Sequence, residues 1–170
     1  LNYSKNYKGT QFNLNKKYTY TDVCWLLNWK AEEVSLNIGG YKYDKYTNTY
    51  PVFINYDKSE EVSASIRYED RFVDQSRLIA ISKSQRTIAS DDVDNAIHAE
   101  ERHILMPLFV RKNKDDKTSK EFYFLGTIKH NGHLQEFIMP DTDKSAVEIG
   151  YHLNTPVENN LYEYITERTI

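Results

Sequence analysis

The stretch Gly39 to Lys58, GGYKYDKYTNTYPVFINYDK, sets Tyr41, Tyr43, Tyr46, Tyr50 and Tyr56 around Asp44, directly after a glycine pair. Residues of these types can hold a flat ligand. Two aromatic rings enclose an extruded nucleobase, and a carboxylate between them accepts from the N4 amino group of cytosine. The same carboxylate repels the carbonyl that thymine carries there. A glycine pair lets backbone approach the base closely. Tyr41 and Tyr56 are the candidate stacking rings, Asp44 the acceptor and Gly40 the close backbone. Val52, Phe53 or Ile54 would line an apolar niche for a substituent on the base. The competing reading is plainer, since tyrosines at alternate positions also cover the surface of an ordinary sheet.

Signals for catalysis are poor. His98 and His103 are five apart, not the i, i+4 spacing that places two metal ligands on one helix face. His130 and His133 flank Asn131-Gly132, a hairpin-turn signal. Pro140-Asp141 with Glu148 has the acids of a metal-dependent nuclease, but Gly150 stands where the lysine belongs. There is no Gly-x-Ser-x-Gly elbow and no phosphate-binding glycine loop. The expectation is a binding domain rather than an enzyme, with no cofactor and no metal.

The elements that position these residues come from a chain of 170 residues, which suits one domain with a sizeable core. It opens on Leu1, as a piece of a longer protein would. The apolar fraction is 39% and the aromatic fraction 14%, too rich for disorder. No apolar run approaches membrane-spanning length. Cys24 is the lone cysteine, which excludes an internal disulfide and fits a reducing, cytoplasmic setting. The net charge of −3 disfavours binding dominated by phosphate contacts, but it is unevenly spread. Residues 1–58 carry eight Lys against five acids, and residues 131–170 carry two basic residues against seven acids.

Asn2 to Lys17 reads as a polar lead-in or linker, leaving residues 18–170 as a single recognition domain. Thr21-Asp22 opens a short helix through Leu27, with Trp25 in its core face. Tyr50 to Tyr56, Ser65 to Phe72, Leu78 to Ile81, Glu121 to Ile128, His133 to Met139 and Ala146 to Leu153 read as strands, and Ile104 to Val110 is an apolar run that ends in Arg111-Lys112. Ser90-Asp91-Asp92 caps a second helix, and Thr155-Pro156 opens a third through Ile165. This pattern predicts an α+β fold, a curved and mainly antiparallel sheet or small β-barrel flanked by helices.

Six segments run in order along nearly the whole chain: YTYTDVCWLL from Tyr18, Gly40-Tyr41-Lys42, PVFINYDK from Pro51, YEDRF from Tyr68, LFVRK from Leu108 and FYFLG from Phe122. Through them the chain resembles the C-terminal domain of unknown function that follows phospholipase-D-type nuclease and helicase modules in SauUSI-like type IV restriction enzymes. The resemblance implies a target-recognition domain for 5-methylcytosine or 5-hydroxymethylcytosine in double-stranded DNA. Its partners would be the helicase and nuclease domains of the same parent chain, an ATP-dependent restriction endonuclease. A second resemblance, to SRA domains, rests on Gly39-Gly40-Tyr41, Asp44 and Tyr56. It implies an SRA/PUA-like fold that flips the modified base into a pocket without chemistry. Asp57 departs from the SRA pattern, which has Thr just after the second tyrosine. DNA contacts would then come from two basic loops, Lys83, Gln85 and Arg86 in one, and Lys112, Lys114, Lys117 and Lys120 in the other. The rival reading is a protein-interaction or dimerisation module, which the acidic C-terminal segment would suit.

Overall fold

A computed structural model describes residues 6–7, 10–34, 38, 40–56, 70–112, 120–140 and 142–167. Lys114 and Lys117 of the second basic loop, Gly39 and most of the predicted strand from Ser65 lie outside them.

Among the described residues the chain folds as a curled, mixed sheet with three short α-helices, an α+β half-barrel. Its strands are β1 (Lys17–Tyr18), β2 (Val52–Asn55), β3 (Arg71–Asp74), β4 (Arg77–Ile81), β5 (Pro107–Arg111), β6 (Phe122–Ile138) and β7 (Ser145–Leu153). The order across the sheet is β2-β5-β6-β7-β4-β3, with β1 paired to β6. β2 and β5 run parallel, and the other pairings among these seven strands are antiparallel.

The long strand β6 makes the curl. Its first part pairs with β5 and its second with β7, so one strand belongs to both halves of the sheet. A register shift against β5 falls beside Gly126, whose φ of +90° a side chain would strain. A Cβ there would also press on the Tyr7 ring at 3.2 Å. The turn expected at Asn131-Gly132 is instead a bulge inside β6, between His130 and Leu134. The Asn131 carboxamide accepts from the His133 N–H at 3.0 Å. The bulge packs over Gly150 of β7, where a side chain would collide with Asn131 and His133. The two strands predicted here are therefore one.

Alternation along β2 and β5 separates two cores. Val52, Ile54, Leu108 and Val110 face one side with Leu78, Val147, Ile149, Tyr151 and Leu153. Helix α2 (Asp91–Ile97) covers that side with Val93 and Ala96, and α3 (Asn159–Thr166) with Ile165. Phe53, Phe109, Phe122 and Phe124 face the other side, under α1 (Tyr20–Leu26) and Phe12. Phe12 is fully buried and stacks on Phe124 at 5.1 Å. Truncating such a phenylalanine costs about 3–5 kcal/mol, so this part of the expected lead-in is built into the fold.

Helix starts fall where side chains satisfy the free N–H groups. Thr19 caps α1 in a reciprocal box with Asp22, rather than Thr21-Asp22 opening it. Glu158 caps α3 by accepting from Asn160 and Leu161, while the Thr155 hydroxyl is engaged with the Tyr7 phenol. Trp25 was expected in the core but is 54% exposed. Val23 and Cys24 use the buried face of α1, Leu27 at its C-cap is buried beside them, and Trp29 past its end is the buried indole.

Candidate functional site

Gly40 and Tyr41 run beside β2, held by the Phe53 N–H donating to the Gly40 carbonyl at 2.6 Å and by a bridge from Tyr41 to Val52. Gly40 has a φ of +97°, which turns the chain so that the Tyr41 ring lies against Tyr50, centroids 5.6 Å apart and planes 22° apart. The end of β4 and the residues after it, Ala80 to Lys83, form the facing wall. Between these walls are two hollows that share Tyr41, Val52, Ala80, Ile81 and Ser82. The outer one, about 100 Å³, is bordered also by Gly40, Ile54, Asp70 and Lys83. The inner one, about 20 Å³, is closed by Tyr50, Val93, Ile149 and Tyr151. That volume admits roughly one group the size of a water or methyl, and its wall is mostly aliphatic and aromatic.

A polar frame fixes the Tyr41 ring. Its phenol donates to the Asp92 carboxylate at 2.9 Å and accepts from the Lys83 N–H at 3.0 Å. Asp92 is paired with Arg86, Nε to Oδ2 2.7 Å, and its backbone carbonyl accepts from the Tyr50 phenol at 3.0 Å. Burial raises the Tyr41 and Tyr50 phenols well above their ordinary range, so both stay protonated donors. Tyr151 is raised by burial as well. For Asp92 burial pushes upward, but the hydrogen bonds from Arg86 and Tyr41 outweigh it and hold the carboxyl low. Asp70 borders the outer hollow with its Oδ1 accepting from the Ile81 N–H at 2.7 Å. The site thus combines one oriented aromatic ring, an anchored carboxylate, a lysine at the rim and a small apolar recess.

Residues 12–165 match the family described as Domain of unknown function (DUF3427). The chain belongs to that family. No curated protein sequence matches it. Among solved structures, the DUF3427 chain is similar to the SRA domain of SUVH5 in complex with hemimethylated CG DNA, with TM-score 0.55 and 9% identity over 91% of this chain and 97% of that one. It is similar to the same domain with fully methylated CG DNA at TM-score 0.51 and 11% identity, over 92% of this chain and 99% of that one. KRYPTONITE in complex with mCHG DNA and SAH matches at TM-score 0.54 and 8% identity, over 88% of this chain and 34% of that much longer one. At these identities the likeness is one of fold, and it agrees with the SRA-like α+β expectation.

Within this DUF3427 fold the predicted pocket residues separate. Tyr41 and Gly40 border the outer hollow together. Phe53 also borders it, but its ring stacks on Phe109 at 5.0 Å in the opposite core, because alternation turns Val52 and Ile54 to the hollow instead. Asp44 is 5% exposed, and its carboxylate accepts from the Thr47 N–H at 3.0 Å and hydroxyl at 2.6 Å. It orders the Asp44–Thr49 turn, where the Thr49 hydroxyl also accepts from the Trp29 indole. Tyr56 is 4% exposed, its ring against Phe72 and its phenol accepting from the Phe72 N–H. Neither Asp44 nor Tyr56 borders these two hollows.

Of the predicted DNA contacts, Lys83 lies at the rim, Gln85 is exposed with a left-handed φ of 66°, and Arg86 is committed to Asp92. Lys112 turns to α3, paired with Glu167 and set over the Tyr164 ring, and Lys120 is exposed before β6. Sequence reasoning missed Asp70, Asp92 and the inner hollow. Asp70 sits in the YEDRF segment already singled out, but nothing local tells that Ile81 will hold it at a pocket. Among the described residues no group of three or more His, Cys, Asp or Glu side chains could hold a metal. No described helix is long and apolar enough to cross a membrane.

Proposed function

We propose that this domain recognises a modified cytosine in duplex DNA by taking the extruded base into the Tyr41 hollow. The observation that carries the reading is the pair of hollows, a larger one beside an oriented tyrosine and a methyl-sized apolar recess behind it. The likeness to SRA domains, solved with methylated DNA, supports it. Tyr41, backed by Tyr50, provides the stacking surface. Stacking on an aromatic contributes ~1–3 kcal/mol per base, comparable with the few kcal/mol that unstacking costs. Asp70 takes the acceptor role for the N4 amino group. The C5 substituent enters the recess between Val52, Val93 and Ile149. Gln85 and Lys83, on the loop after β4, meet the DNA beside the hollow.

The resemblance of the sequence supports a wider setting for this reading. The domain serves as the target reader of an ATP-dependent type IV restriction enzyme whose helicase and nuclease modules lie elsewhere in the parent chain. Binding, not cleavage, is its share of the work. Fluorescence anisotropy tests this with one short duplex carrying cytosine, 5-methylcytosine or 5-hydroxymethylcytosine at one position, at fixed salt. Tighter binding to a modified duplex, lost in Tyr41→Ala, is expected. Equal binding to all three duplexes would overturn modification reading.

A further inference from the structure

We propose that Lys83 is a gate on the Tyr41 hollow, resting on the ring until a DNA phosphate draws its ammonium away. The inference rests on the reading that the hollow takes a base. The Lys83 N–H donates to the Tyr41 phenolic oxygen at 3.0 Å, and its Nζ reaches back to the Tyr41 carbonyl at 3.3 Å. The ammonium lies 4.6 Å from the ring centroid. The side chain therefore spans Tyr41 from phenol to backbone while bordering the outer hollow. A base stacking on Tyr41 from that hollow meets the lysine chain and must displace it.

The contacts that hold Lys83 are weak ones. The residue is exposed, and an exposed cation over an aromatic ring is only modestly attracted. A duplex offers a row of phosphates, each a better partner for a flexible ammonium than a ring face. The nearby Arg86 does not compete for that role, because Asp92 holds its Nε. Arrival of a duplex and clearing of the Tyr41 face are thus one event. A free nucleoside brings no phosphate and must expel the lysine unaided. Lys83 makes the hollow select bases carried on DNA over loose nucleosides, a selectivity that neither the ring nor the recess supplies.

The test compares the wild-type domain with Lys83→Ala and Lys83→Arg. Calorimetric titration with 5-methyl-2′-deoxycytidine measures nucleoside affinity, and duplex binding across a salt series measures phosphate engagement. Lys83→Ala should bind the nucleoside about threefold more tightly, the strength of one exposed cation–ring contact. Its plot of log affinity for the modified duplex against log salt should flatten by about 0.9. Lys83→Arg should keep the wild-type slope. Unchanged or weaker nucleoside binding in Lys83→Ala overturns the gate, as does an unchanged salt slope. A lysine with only a structural role would lower both affinities together. A wild-type domain that does not distinguish the modified from the plain duplex overturns the base reading itself, and the gate with it. A wild type that does distinguish them, with both affinities lowered in Lys83→Ala, overturns the gate alone.

Discussion

Filling the inner hollow should erase preference for the methyl group. Val93 borders that hollow and not the outer one, and Val93→Ile adds one methylene where the C5 methyl would go. In the wild type, burying the methyl contributes about 0.8 kcal/mol. Plain cytosine would leave the hollow of about 20 Å³ empty, which at about 24 cal/mol per Å³ costs a further ~0.5 kcal/mol. The two together amount to about 1.3 kcal/mol, close to a ninefold preference for 5-methylcytosine. In Val93→Ile the ratio should fall to within about twofold, chiefly through weaker binding of the methylated duplex. Competition anisotropy with the two duplexes reads this ratio. A thermal melt checks that the variant stays folded, since a single added methylene in a recess with room for it should be tolerated. A ninefold ratio surviving in Val93→Ile, or no preference in the wild type, would refute the assignment of the recess.

Tyr41→Ala should weaken modified-duplex binding by ~1–3 kcal/mol, the stacking contribution, whereas Tyr41→Phe keeps the ring and should lose much less, as anisotropy would show. Asp70→Asn should reduce the preference for cytosine derivatives over thymine at the target position, read with a thymine-containing duplex. Asp44→Ala should instead lower the melting temperature and leave that preference intact, because its carboxylate is spent on Thr47. His130 is held below the ordinary imidazole range by burial, although its ring nitrogen contacts the Gly150 carbonyl at 2.9 Å. The folded state therefore binds fewer protons than the unfolded one, so stability is full above about pH 6.5 and declines as pH drops below it. His130→Gln should flatten that part of a denaturation–pH profile.

Much of the fold was legible because local signals agreed with tertiary packing. The β-branched and aromatic residues of Tyr50 to Tyr56 and the apolar runs at Leu108 and Phe122 became β2, β5 and the start of β6. Helix positions were legible, but their caps shifted to Thr19 and Glu158, since several Thr, Asp and Glu residues competed and only side-chain geometry decides among them. Asn131-Gly132 carries the composition of a turn, and only the pairing of β6 with β7 makes it a bulge. Of the candidate site, residue type and spacing point to Gly40 and Tyr41, which border the outer hollow. Asp44 and Tyr56 share the same short stretch, yet the turn and the core claim them. The residues that complete the hollow come from β4, α2 and β7, up to about a hundred positions away in sequence, and no periodicity links them to Tyr41.

The most direct measurement places 2-aminopurine next to the modified cytosine in a short duplex and follows its fluorescence as the domain is added. If the base leaves the stack for the Tyr41 hollow, fluorescence should rise severalfold on saturation with the methylated duplex, and much less with Tyr41→Ala. Saturated binding of the methylated duplex with no change in fluorescence would mean that the base stays in the helix and that the hollow does not read it.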